Sequence, residues 1–136
     1  MPLPATTLER LSTLGQALGE CPGVVFGYLF GGAALGRITP LSDVDVAVYL
    51  DDAFDPVETR LQVVGAVTSH LGTDEVDVVV LNSAPTALLG RILLTRQVIC
   101  DRDPHRRHRF ESLAIRTFAD FRVFEHRLLA RRYGCG

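Results

Sequence analysis

Nine consecutive residues constrain this chain more than any others: Ser42-Asp43-Val44-Asp45-Val46-Ala47-Val48-Tyr49-Leu50. Side chains alternate along a strand, so Val44, Val46, Val48 and Leu50 turn to one face, apolar enough to be core. Asp43 and Asp45 share the other face, with α-carbons roughly 6.6 Å apart. Two carboxylates at that separation repel each other, and a divalent cation, magnesium first, is the usual compensation. A second β-branched run, Glu75-Val76-Asp77-Val78-Val79-Val80-Leu81, sets Asp77 against Val76, Val78 and Val80 in the same manner. Pairing the two strands brings a third carboxylate to one corner. Three such acids can hold two divalent ions and so steady both the attacking and the leaving oxygen of a phosphoryl transfer.

The remaining elements follow from turn chemistry and periodicity. Thr6-x-x-Glu9 is a capping-box pattern ahead of Leu8, Leu11, Leu14 and Leu18, which predicts a helix from about Thr7 to Leu18. Val24 to Phe30 reads as a buried strand, Ala33 to Leu35 as one helical turn, and residues 37–42 as a loop. Asp55-Pro56-x-Glu58 opens a second helix with Val57, Leu61, Val64 and Val67 or Thr68 on one side, ending near Gly72. After the Asp77 strand come an Asn82-Ser83-Ala84-Pro85 turn, a short helix to about Leu94 and a brief edge strand from Gln97 to Cys100. Pro104 starts a long helix to about Arg132. The sum is an α+β fold: a mixed sheet flanked by helices, in one domain over residues 1–136, with its motif core at 24–82.

Composition narrows the function classes. With 136 residues, 47% hydrophobic and 22% charged, the chain can bury a sizeable core and is not disordered. No stretch approaches the roughly 20 apolar residues of a membrane span, and no secretory signal opens it, so a cytoplasmic address is expected. Cys21, Cys100 and Cys135 fit neither a disulfide framework nor a zinc site. A net charge of -2, with arginine supplying all 14 basic residues, argues against direct nucleic-acid binding.

Ten residues separate Gly31-Gly32, at a strand-to-turn junction, from Asp43. Lacking Cβ atoms, these glycines let backbone approach a ligand, and amides at such a junction can face an anion. A plain tight turn is the competing reading of Gly-Gly, and a strand-start cap that of an isolated D-x-D. D-x-D also occurs in sugar-nucleotide transferases and in aspartyl-phosphatase-like hydrolases, but in the latter the acids follow the strand, whereas here they enter it. Taken together, Gly31-Gly32-x10-Asp43-x-Asp45 with the later Asp77 resembles the G-S-x10-D-x-D signature of the polymerase-β-like nucleotidyltransferases. Within them it is most similar to the minimal nucleotidyltransferase group and the MntA-type antitoxins of HEPN/MNT toxin–antitoxin systems.

The resemblance implies transfer of AMP from ATP to a hydroxyl, with pyrophosphate released. It implies that Asp43, Asp45 and Asp77 hold two Mg²⁺ ions, that Asp77 orients or deprotonates the acceptor, and that Gly31, Gly32 and Ser42 bind the phosphates. The implied acceptor is a tyrosine of a partner HEPN-family RNase toxin. A non-catalytic antitoxin that neutralises by binding is the alternative, and a small-molecule nucleotidyltransferase a more distant one. The family serine is replaced here by Gly32, and a lost charge-assisted hydrogen bond costs roughly 1.5–3 kcal/mol. Arginines common just after G-S are also absent at Ala33 and Leu35, which leaves Arg37 nearby.

The last helix points to partners. Phe110, Leu113, Thr117, Phe121, Phe124 and Leu128 form one apolar stripe, expected to be core. Ile115, Phe118 and Val123 mark a second side, expected to bind protein in a homo- or hetero-oligomer. Arg106, Arg107 and Arg109 are expected on a solvated face, and His70, His105, His108 and His126 as surface or cap residues.

Overall fold

The structure, a computed structural model, describes residues 9–32, 34 and 43–133. Thr6 of the capping box, most of the expected turn at 33–36, the 37–42 loop with Ser42, and Cys135 lie outside the described residues. After a 3₁₀ turn at Leu11–Thr13 come α1 (Leu14–Gly19), β1 (Val24–Phe30), β2 (Val44–Leu50), α2 (Pro56–Leu71) and β3 (Val76–Val80). A second 3₁₀ turn, Leu81–Ser83, leads to α3 (Thr86–Thr95), β4 (Gln97–Asp101) and α4 (Pro104–Tyr133). The strands form one mixed sheet in the order β3-β2-β1-β4, so the run from Gln97 is an edge strand as expected. β1 pairs antiparallel with both β2 and β4, while β2 and β3 run parallel, joined through α2 as parallel neighbours require. No described helix is long and apolar enough to cross a membrane.

Two cores sandwich the sheet. Val44, Val46, Val48 and Leu50 are buried against Leu14, Leu18, Val63, Val67 and Leu71 of α1 and α2. On the opposite face Phe26, Tyr28 and Phe30 pack with Ala47, Leu81 and Ile92, beneath α3 and α4. Phe26 stacks on Tyr49 with ring centroids 4.9 Å apart, and Phe110 of α4 tilts onto both rings. Asp45 lies between Ala47 and the open end of this second face.

Three helix expectations need correction. The first helix is interrupted by the 3₁₀ turn at Leu11–Thr13 before α1. A Cβ at Gly15 would strike the Ile99 carbonyl, so α1 lies directly on the β4 backbone. In α2 the buried side chains are Thr59, Val63, Val67 and Leu71, whereas Val57 and Leu61 are 70% and 64% exposed. Both stripes are spaced at helical intervals; the Thr59 methyl, seated under Gly23, belongs to the one that faces inward. In α4, Leu113, Phe124 and Leu128 are exposed, while Phe110, Phe118 and Phe121 are partly buried around Glu111 and Ala114. Phe118 therefore belongs to the inner side: its ring fills the space above Gly90, where α3 and α4 meet without room for a Cβ.

Capping at α2 follows the expectation. The Asp55 carboxylate accepts the Val57 and Glu58 amides at 2.9 and 3.3 Å, Pro56 stands in the first turn, and Gly72 ends the helix at φ 71°. Asp55→Ala is expected to cost about 1 kcal/mol, read as a lower denaturant midpoint with an unchanged slope.

Candidate active site

Parallel pairing of β2 and β3 puts Asp45 directly opposite Asp77, and β1 puts Phe30 on the other side of Asp45. Asp45 is half-buried; Asp43, one residue before the strand, and Asp77 are exposed. Burial, then the like charges of Asp77 and Asp43, push the Asp45 carboxyl above the ordinary carboxylate value, and Arg91 partly offsets them. The strand register thus gathers the three acids at one end of the sheet, close enough for Asp45 to feel both others.

A cation fits this corner by donor chemistry. Carboxylate oxygens are the ligands magnesium takes, usually with several waters retained, and the strand register brings Asp77 opposite Asp45 with Asp43 two residues before it. Among the described residues, no group of three histidine, cysteine or acidic side chains closes around a single metal position. An ion would therefore be shared between individual carboxylates, water and a substrate's own oxygens.

Gly31 has a specific reason to be glycine. Its φ is +70°, and a Cβ there would come within 2.8 Å of the Asp45 Oδ2 atom. Any side chain would be strained and would displace the carboxylate. The Gly31 amide, expected to face phosphate, instead donates to the Thr95 hydroxyl at 2.9 Å, and that hydroxyl donates to the Arg91 carbonyl at 3.3 Å. That donor is already satisfied in the fold, so what Gly31 supplies is room. Gly32 is half-buried and follows directly.

Two residues that sequence reasoning did not select enter the site from α3. Arg91 and Thr95, one helical turn apart, line a cavity of about 260 Å³ with Phe30, Gly31, Asp45 and Leu94. The i,i+4 spacing of a basic residue and a hydroxyl was the available signal, but nothing in it pointed towards β1. The arginines of α4 also depart from expectation. Arg107 bonds Asp101 and Glu111 at 2.8 and 2.9 Å, and Arg106 lies over the Tyr49 ring while reaching Asp51. Only Arg109 of the three keeps an exposed position.

Carboxylates paired across a parallel strand junction, beside a glycine turn on a mixed sheet, are the arrangement of a nucleotidyltransferase domain. The family model described as Polymerase beta, Nucleotidyltransferase matches residues 13–105, and the chain belongs to that family. No curated protein sequence matches it. Among solved structures the fold is similar to a toxin–antitoxin with AMP-PNP, at 22% identity and TM-score 0.69 over 91% of this chain and 96% of that one. It is similar also to an MntA-HpeT toxin–antitoxin mutant, at 21% identity and TM-score 0.70 over 91% and 96%. A third is the tri-AMPylated Shewanella oneidensis HEPN toxin in complex with MNT antitoxin, at 21% identity and TM-score 0.63 over 92% and 94%.

Proposed function

We propose that this chain is an Mg²⁺-dependent protein adenylyltransferase, the antitoxin partner of a HEPN-family RNase toxin, and that it moves AMP from ATP to a tyrosine hydroxyl of that toxin. The observation that carries the reading is the register Asp45↔Asp77 beside Gly31, which assembles an acidic corner at the edge of an open cavity. The similar folds seen with AMP-PNP and with an AMPylated toxin support it.

The chain's residues divide the work. Asp43, Asp45 and Asp77 would each lend carboxylate oxygens to metal ions completed by water and substrate, whose chemistry is to neutralise charge on the phosphates and lower the barrier to in-line displacement. Asp77, exposed at the rim, orients the acceptor hydroxyl and takes its proton. Gly31 keeps the approach to Asp45 clear, and Gly32 and, by the family resemblance, Ser42 would bind the phosphates. With Asp45 half-buried and Asp77 exposed, the acceptor enters from the Asp77 side, which suits a side chain delivered by another protein. The exposed apolar residues of α4, Leu113, Phe124, Leu128 and Leu129, are the surface offered to that partner.

The test is incubation with labelled ATP, Mg²⁺ and the toxin encoded beside this chain. Label on a toxin tyrosine, absent when Asp77→Asn replaces the wild type, supports the reading. Neutralisation of the toxin without any label would replace it with neutralisation by binding.

A further inference from the structure

The glycine turn meets a problem that α3 solves. Arg37 lies outside the described residues, and neither Ala33 nor Leu35 brings a cation to a corner that must take three carboxylates and an incoming triphosphate. Arg91 does. It projects from the second half of α3 into the cavity of about 260 Å³ that Asp45 also lines. Arg96 and Arg107 are committed to Glu111, Arg106 to Asp51, and Arg60 to the Val78 carbonyl. Among the described residues the Arg91 guanidinium has no ion pair or hydrogen-bond partner. It is near enough to act on the Asp45 carboxylate electrostatically, yet no salt bridge closes between them. A guanidinium lining a cavity, uncommitted among the described residues, with five donors in a planar fork, is suited to phosphate.

Resting on the nucleotidyltransferase reading, we propose that Arg91 grips the terminal phosphates of the incoming nucleotide, from the wall of the cavity that it lines together with Asp45. Thr95, one turn further along the same helix face, fixes the spacing: its hydroxyl accepts the Gly31 amide at 2.9 Å and so ties the glycine turn to the helix that carries Arg91. The fork and the turn therefore form one rigid phosphate cradle, built from α3 and the end of β1. Phe30, buried beneath, gives the cradle an apolar floor, and Leu94, 78% exposed, stands at its lip. Arg91 touches substrate in this arrangement; Thr95 is a positioning residue.

The test uses the full chain with Mg²⁺ and inorganic tripolyphosphate, a probe that needs neither base recognition nor chemistry, measured by calorimetry. Arg91→Ala is expected to weaken tripolyphosphate binding about 10- to 100-fold, a scale consistent with losing one charged hydrogen-bonding group. Arg91→Lys is expected to fall between, since it keeps the charge and loses the fork. Thr95→Val keeps the volume and is expected to lower kcat more than it raises the KM for ATP, because the cradle is displaced rather than discharged. Tripolyphosphate binding equal in wild type and Arg91→Ala overturns the proposal, as does a wild-type chain that does not bind the probe. A chain that binds tripolyphosphate through Arg91 but transfers no AMP upholds the cradle and sinks the adenylyltransferase reading instead.

Discussion

Asp45→Asn is expected to lose about a hundred- to a thousand-fold in AMP transfer, the scale of removing a preorganised electrostatic group from a transition state, and yet to unfold at a higher temperature. Both effects come from one feature. Asp45 is held half-buried between Phe30 and Asp77, with Asp43 close behind, and burial and those like charges raise its carboxyl above 3.8. A carboxyl raised on folding binds its proton more tightly in the native state. Where it is ionised it therefore opposes folding, and that opposition is relieved as pH falls through its native value. The asparagine has no charge to oppose. In chelator at pH 7 its thermal midpoint should stand above wild type, and the gap should close as pH approaches 3.8 and below. Midpoints measured by circular dichroism across that range check the claim. An Asp45→Asn protein less stable than wild type at pH 7 would mean that the carboxylate is a structural partner rather than a site under tension.

That site was legible in the sequence to the extent that period-two alternation governs it. β1 and β2 have the bounds their β-branched runs suggest, and Asp43, Asp45 and Asp77 fall where alternation and strand pairing put them. Alternation is local, so a strand's faces can be read from the strand itself. Helix faces in this chain cannot be read so directly. α4 carries apolar side chains all round, and the choice of Phe110, Ala114 and Phe118 over Leu113 and Leu128 depends on where Gly90 of α3 makes room. Arg91 and Thr95 were illegible for a related reason: α3 looks like a short amphipathic linker until β4 returns beside β1 and draws the helix end against Gly31. The Gly31 amide reversed its expected part because its partner lies 64 positions away in sequence. Glycine's need for space was local and readable; where its N–H points was not.

Glu111 carries the largest expected effect on stability, and its setting is the least visible in the sequence. Four residues after Arg107 on a long helix, it resembles an ordinary surface pair worth a few tenths of a kcal/mol. In the fold it is 6% exposed. One carboxylate oxygen accepts the Tyr28 hydroxyl at 2.7 Å and Arg96 at 2.8 Å; the other accepts Arg107 at 2.9 Å. β1, the link between α3 and β4, and α4 are thus joined through one side chain. Glu111→Ala strands a buried hydroxyl and removes the shared counter-charge of two guanidiniums, although Arg107 keeps Asp101 at 2.8 Å. Breaking such a buried pair costs about 3–5 kcal/mol, a large part of the 5–15 kcal/mol that holds a typical domain folded. Tyr28→Phe deletes one hydrogen bond and leaves both arginines paired, so it should cost only about 1 kcal/mol. Burial alone would raise the Glu111 carboxyl, but Tyr28, Arg96 and Arg107 outweigh it and hold it below the ordinary value of 4.5. Its stabilisation is therefore complete above pH 4.5 and lost as pH falls through the lower native value, the opposite slope to that of Asp45. Urea denaturation at pH 7 and pH 3.5 separates the two groups: the gap between wild type and Glu111→Ala should narrow in acid. A gap that stays constant would assign the loss to packing rather than to the ionised carboxylate.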